Sequence, residues 1–394
     1  MVAMQYRSFG RLDFRPSALG FGAMRLPLAG ETPADIDREE ARRMLRRAVD
    51  LGVNYVDTAY NYHDGAGEAW LGWALGDGYR ARVKVATKLP TWKVKRRDDF
   101  DRFLDEQLER LGTGIDFYLL HSLDAASWRD NVLAHDVLAA AERALADGRI
   151  AHFGFSFHDT CDAFLEILDG TDLWEFCQIQ YNYMDEEYQA GTRGLEAAAD
   201  RGLGVVVMEP LRGGQLARPT PEVAALWAAA QRELESCAPS GVCLPESPVE
   251  WALRWVWQHP EVSLVLSGMS TMEQVEQNAR YASRSAEPMG AAEHAVIARV
   301  RDAYRAAIPV PCTGCKYCLP CPNKVAIPDI LELYNDAVAY ADVDGARLRY
   351  TWIDEHARAD ACTQCGECEE RCPQGIAITG WLEKAQGFLA VAPE

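Results

Sequence analysis

Four side chains of complementary chemistry stand in order in the first third of the chain: Asp57, Tyr62, Lys88 and His121. A free phenol titrates near pH 10 and is a poor acid at neutral pH. A lysine ammonium beside it, itself held by a carboxylate, is expected to lower that value. Such a phenol is a general acid for a carbonyl oxygen, with a neutral histidine to orient the carbonyl. Together these groups suit the addition of hydride to C=O. Each alone has a plainer reading. A histidine closing a strand is commonly a satisfied buried group, and Asp57 before Thr58 and Ala59 serves equally as a turn cap. The combination is what points to a site.

A second set of reactive residues lies toward the other end. Eight of the twelve cysteines fall at or beyond Cys312, in two cassettes. The first, PCTGCKYCLPCP, carries Cys312, Cys315, Cys318 and Cys321. The second, ACTQCGECEERCP, carries Cys362, Cys365, Cys368 and Cys372. A zinc ribbon would use two pairs rather than two quartets. The spacing of the second cassette is that of bacterial 4Fe-4S ferredoxins. The first is one residue shorter before its last cysteine, which alters a turn without removing a ligand. The other four cysteines, Cys161, Cys177, Cys237 and Cys243, read as ordinary residues of a reducing compartment, with no pairing required of the last two.

The elements that must position these groups follow from rhythm. Apolar, β-branched or aromatic runs recur at 17–23, 53–59, 83–88, 115–121, 150–156, 177–182, 203–209 and 262–268. They are short, and apolar enough for burial on both faces, as parallel strands are. Amphipathic stretches lie between them, several closing on glycine (Gly52, Gly112, Gly148), with an eighth helix at 271–282. Eight strands alternating with helices predict an α/β fold, a (β/α)8 barrel whose chemistry sits at the C-terminal strand ends. Residues 209–250 interrupt the rhythm and read as a cover or mobile loop. Near 285 the rhythm stops. The expected organisation is a barrel over 1–285 and a mostly helical, cysteine-bearing domain over 286–394.

Composition narrows the setting. The net charge is −19 and the pI near 4.9, which argues against nucleic acid or an anionic membrane as partner. No apolar run approaches the roughly 20 residues of a spanning helix. The first residues lack a secretory layout, so a cytoplasmic protein is expected.

DTAYNY around Asp57 and Tyr62, VATK ending in Lys88 and DFYLLH ending in His121 together resemble the aldo/keto reductases. The resemblance runs over about 4–282 and continues in GRIAHFGFS, QIQYN and GMSTMEQVEQN. It implies a nicotinamide, NADP(H) or NAD(H), across the barrel mouth. Ser156 and Gln178 would approach its carboxamide. Gly22, Ala23 and Met24 would also bind the cofactor, and Met208 would lie against the nicotinamide. Pro210, Leu211 and Gly213 would lie near the pyrophosphate, and Ser267, Gly268, Gln274, Gln277 and Asn278 near the adenosine end. The sequence departs from the family at four points. His63 follows Tyr62 where glycine is common. Phe157 stands for an asparagine, and Met208 for an aromatic residue. Residues 267–278 hold no Lys or Arg for a 2′-phosphate, which leans toward NAD(H).

The tail resembles a dicluster ferredoxin with two 4Fe-4S clusters. That resemblance implies crossed ligation: Cys312, Cys315, Cys318 and Cys372 on one cluster, Cys362, Cys365, Cys368 and Cys321 on the other. The function expected is an oxidoreductase acting on an aldehyde, ketone or sugar-like carbonyl. The clusters would serve either electron transfer, toward a redox partner protein, or the structure of the tail. The alternative is an electron-transfer or regulatory module whose barrel does not turn over simple carbonyls.

Overall fold

The computed structural model describes residues 3–237 and 244–390. Eight parallel strands close into a barrel in sequence order: β1 (Leu19–Gly22), β2 (Tyr55–Asp57), β3 (Lys84–Leu89), β4 (Ile115–Leu123), β5 (Ile150–Phe157), β6 (Phe176–Gln180), β7 (Gly204–Met208) and β8 (Val262–Gly268). Each overlaps the run expected of it. Closure pairs β1 with β8, from Leu19 opposite Val265 to Gly22 opposite Gly268. The strands are buried on both faces because helices cover the outside and side chains fill the inside. The floor is plugged from below. A short N-terminal hairpin, bridged at Phe9 and Leu12, inserts Phe9 among Phe117 at 5.2 Å, Phe176 at 5.8 Å and Tyr55 at 6.3 Å.

Helix boundaries follow local chemistry. Asp37 caps the helix Arg38–Asp50 by accepting from Glu40 N–H, and Thr271 caps Met272–Ala282 by accepting from Gln274 N–H. Gly112 ends the helix Asp99–Leu111 in the left-handed conformation, where a β-carbon would cost energy. The interruption at 209–250 is not a loop throughout. It contains the helix Pro221–Cys237 and leads into Pro248–Trp257. Both begin on proline, which suits the first helical turn because its missing N–H has no partner to lose there.

The described chain forms two compact units, Met1–Gly213 with Pro245–Met289, and Gly214–Leu244 with Gly290–Glu394. The second is helical, with Ala291–Ala306, Ile327–Ala339, Val343–Thr351 and Ile378–Leu389 as its main elements. Its core is aliphatic, including Val325, Ile330, Leu331, Ile378 and Leu382, and the cysteines Cys312, Cys318, Cys321, Cys362 and Cys372 pack against it. Pairing between Cys237 and Cys243 falls outside the described residues. Cys161 and Cys177 are free thiols, Cys177 fully buried. No helix of the described residues is long and apolar enough to cross a membrane.

Candidate active site and cluster pockets

Asp57 is the last residue of β2, and Lys88 and His121 lie near the ends of β3 and β4. Tyr62 sits on the short helical turn Tyr62–Gly65 that follows β2. The four converge at one mouth. Lys88 is fully buried, and its three protons are all used. Nζ donates to Asp57 Oδ1 at 2.7 Å, to the Thr58 carbonyl at 2.8 Å and to Tyr62 Oη at 3.3 Å. His121 and Tyr62 meet edge to face, centroids 6.1 Å apart.

The expected lowering of the Tyr62 pKa is corrected by the structure. Burial raises it, and the Lys88 ammonium offsets only part of that rise. The phenol therefore keeps its proton through neutral pH, which a donor requires. Burial pulls the Lys88 ammonium down, but Asp57 and then Tyr62 carry it above its ordinary value. Burial, reinforced by Lys88, holds His121 well below the usual histidine range, so the ring is neutral.

A kink aims His121. The β4 register against β5 shifts between Leu120 and Leu123, with Ser122 at φ 53°. Bulges of this kind redirect side chains beside active sites. Ser156 Oγ accepts from the Ser122 N–H at 2.8 Å. The serine expected to meet a carboxamide thus braces the bulge.

Several buried polar atoms at the mouth have no partner among the described residues: Asp57 Oδ2, Thr58 Oγ1, His121 Nδ1 and Gln178 Oε1. Buried polar atoms are normally satisfied, and each orphan calls for a partner such as an ordered water, an ion or a ligand. Gln178 Nε2 meets only the Met208 sulfur, at 3.4 Å. The orphaned Gln178 Oε1 suits an amide N–H, so the residues present fit a nicotinamide carboxamide.

The remaining expected contacts are placed as follows. Gly22 pairs with both Asp57 and Gly268. A Cβ on Gly22 would stand 3.3 Å from the Ser267 carbonyl oxygen. Ala23 is buried, donating its N–H to the Asp57 carbonyl at 2.8 Å. Met24 is exposed. Pro210 is buried, Leu211 half-buried, and Gly213 left-handed at φ 64°. Asn278 Nδ2 donates to Ser267 Oγ at 3.1 Å, Gln277 Nε2 to Glu273 at 2.8 Å, and Gln274 Oε1 accepts from the Ser270 N–H at 2.7 Å. These last three spend side-chain groups on their own loop and helix.

His63 and Asp64 adopt left-handed backbone at φ 54° and 53°, a conformation glycine takes at no cost. The His63 ring turns away from the mouth, its nitrogens 2.8 Å and 3.0 Å from the carbonyl oxygens of Pro33 and Ala23. Phe157 is buried against Phe164, centroids 5.1 Å apart. Trp92 escaped the sequence reading. It is 39% exposed, and its ring stands 5.2 Å from that of His121. An aromatic four residues past Lys88 is the signal that could have found it.

In the second unit two pockets gather the cysteines. One is lined by Cys312, Cys315, Cys318 and Cys372, the other by Cys362, Cys365, Cys368 and Cys321. Each thus takes three thiols from one cassette and the fourth from the other. Asn323 Nδ2 donates to Thr363 Oγ1 at 2.8 Å, tying the cassettes together. Thr379 donates both N–H and Oγ1–H to Glu369 Oε1, at 2.7 Å and 2.6 Å. Burial, and after it Glu369, Cys362 and Cys321, push the Cys368 thiol up to about 11. Thiolates are the ligating form, and a bound metal supplies the positive charge that stabilises them. No three His, Cys, Asp or Glu side chains among the described residues close around a single ion. Four thiols lining each pocket have the donor chemistry of an iron–sulfur cluster site.

Residues 18–297 match the aldo/keto reductase family and residues 311–377 a 4Fe-4S dicluster domain. The chain belongs to the aldo/keto reductase family, as an oxidoreductase with a 4Fe-4S dicluster domain beyond its barrel. It is similar to an L-galactose dehydrogenase of Arabidopsis thaliana, 28% identical over 71% of this chain and 88% of that protein. A D-threo-aldose 1-dehydrogenase of a Pseudomonas species is also 28% identical, over 68% and 89%. Among solved structures it resembles the aldo-keto reductase AKR11C1 from Bacillus halodurans in its holo form. That likeness has a TM-score of 0.59 at 26% identity, over 75% of this chain and 96% of that one.

Proposed function

We propose that this protein interconverts a carbonyl compound and its alcohol with a nicotinamide dinucleotide at the barrel mouth, and carries two 4Fe-4S clusters in its C-terminal domain. The reductase part is assigned to residues 1–285 and the ferredoxin-type part to 286–394. The observation that carries the reading is Lys88, fully buried and bonded to both Asp57 and Tyr62, beside orphaned acceptors at the mouth. When bound, the reduced nicotinamide supplies hydride to the carbonyl carbon. Tyr62 donates its Oη proton to the carbonyl oxygen. Lys88 holds Tyr62 in place and stabilises the phenolate left behind, while Asp57 holds Lys88. His121, neutral, orients the substrate, and Gln178 Oε1 accepts from the carboxamide. Each cluster, when held, exchanges one electron, so the hydride route bypasses both. A substrate of sugar-like size suits the relatives named as acting on sugars.

The test is anaerobic turnover of the full chain with NADPH or NADH and a panel of aldehydes, ketones and aldoses. Consumption of reduced nucleotide with at least one carbonyl is expected; none across the panel would refute the reading.

The pH profile is a sharper check. Reduction needs the protonated phenol, whose pKa is raised. Its rate should stay flat through neutral pH and fall only above about 10, the ordinary phenol value. Oxidation needs the phenolate and should rise over the same range. Lys88→Met removes the cation that opposes burial, so the oxidation limb should move to higher pH. An unmoved limb would remove Lys88 from the proton chemistry.

A further inference from the structure

The two thiol pockets open onto unlike surfaces. Each has one exposed thiol, Cys315 in the first and Cys365 in the second. Around Cys315 the chain turns tightly, with Gly314 and Lys316 left-handed at φ 66° and 62°. Tyr317 is 65% exposed and Leu319 36%, and Pro311 and Pro320 beside them are exposed as well. Single apolar side chains in water are ordinary on any surface. Here they gather on the one loop that carries three thiols of a pocket, and a gathered apolar patch marks a place for a partner. Residues 309–328 include two cations, Lys316 and Lys324, both exposed, and no carboxylate. Lys316 lines the pocket itself and lies within electrostatic reach of Asp329. The rim around Cys365 is the reverse. Residues 360–374 carry Asp360, Glu367, Glu369 and Glu370 against Arg371, and Thr363, Gln364 and Glu367 are exposed beside the thiol. Ile327 lines both pockets, so the two quartets are neighbours.

We infer that the rim of the first pocket, Tyr317 and Leu319 with Lys316 and Lys324, is the docking surface for a small acidic carrier protein that exchanges single electrons with the cluster held there. The inference rests on the reading of the quartets as 4Fe-4S sites, and it gives the tail a role apart from hydride transfer. One electron leaves the carrier, which is oxidised, and enters the cluster, which is reduced; no bond forms or breaks and no proton moves. The carrier's acidity follows from charge. The net charge of −19 repels an anionic partner in general, and a cationic rim selects where it lands. A tyrosine and a leucine at the centre of the contact bury apolar area. The lysines beside them set the rate of encounter more than the final affinity. The carboxylates about Cys365 turn the same partner away from the second pocket.

The experiment mixes a chemically reduced plant-type 2Fe-2S ferredoxin of acidic surface with the full-length, iron-loaded protein in the absence of oxygen, and follows the electron by stopped-flow absorbance. Transfer should be second-order and should slow as salt screens the rim charges. Tyr317→Ser should lower the rate constant about 10-fold, the scale of an interface hot spot. Lys316→Gln should lower it about threefold at low salt and flatten the salt dependence. Glu367→Gln, on the other rim, should not lower it. Calorimetry with the oxidised ferredoxin should show Tyr317→Ser binding more weakly by about the same factor as its rate. These three variants should keep the wild-type iron content, since the side chains are exposed; Leu319→Ser makes the same comparison if Tyr317→Ser loses iron. Cys365→Ala, which keeps the first cluster, should accept an electron at the wild-type rate, and Cys315→Ala should accept it at least about 10-fold more slowly. Wild-type rates in both Tyr317→Ser and Leu319→Ser would overturn the inference. So would slow transfer in Cys365→Ala with wild-type transfer in Cys315→Ala, which would place the docking surface on the other rim. A wild type reduced by dithionite but not by the ferredoxin would overturn it as well. A chain that holds no iron would fail the cluster reading first, and the inference with it.

Discussion

Tyr62→Phe is expected to cut carbonyl reduction roughly 100-fold or more, the scale of a lost general acid, with nucleotide affinity unchanged. The substitution removes one oxygen and little volume. Tyr62 Oη accepts only a long bond, 3.3 Å, from Lys88, which keeps Asp57 and the Thr58 carbonyl as partners. The mouth should therefore keep its shape while losing the proton that Tyr62 would give the carbonyl oxygen. The loss should fall on kcat rather than on nucleotide binding, because the proton moves in the transition state. Full activity of Tyr62→Phe on every substrate would remove Tyr62 from the chemistry.

The crossed thiol pockets make a prediction of comparable size. Cys321→Ala should remove the same cluster as Cys365→Ala, although Cys321 belongs to the other cassette. Likewise Cys372→Ala should match Cys315→Ala. Each should lower iron from about eight to about four per chain, the content of two clusters and of one. The reason is geometric: Cys321 lines the pocket of Cys362, Cys365 and Cys368, and Cys372 that of Cys312, Cys315 and Cys318. Electron paramagnetic resonance of the reduced variants should sort them into these two pairs. Sorting by cassette instead, Cys321 with Cys315, would refute the crossing. Stoichiometric zinc without iron would refute the clusters.

Much of this was legible in the sequence, because burial on both faces writes itself as short apolar runs. All eight strands fall where those runs fall, and the barrel then brings Asp57, Tyr62, Lys88 and His121 to one end. The cysteine spacing is equally local for three thiols of each pocket, which come from one cassette, while the fourth comes from the other. What escaped the reading depends on contacts between distant segments. The bulge at Ser122 that aims His121 needs Ser156 from the next strand. The direction of the Tyr62 shift turns on burial, and sequence showed only the opposing charge of Lys88. The helix Pro221–Cys237 was missed for another reason. The Pro- and Gly-bearing approach to it, PLRGGQLARPTPEV, masked an alanine-rich run with good helix propensity.

The central claim is direct hydride delivery at the barrel mouth, without passage through the clusters. It is tested most directly by anaerobic turnover with reduced nucleotide deuterated at C4, each face labelled in turn, followed by mass spectrometry of the alcohol. The account predicts one deuterium on the carbinol carbon from one labelled face, in the wild type and equally in Cys365→Ala. An alcohol whose new carbon-bound hydrogen comes from solvent with both labels would mean that electrons travel singly, and would contradict the account.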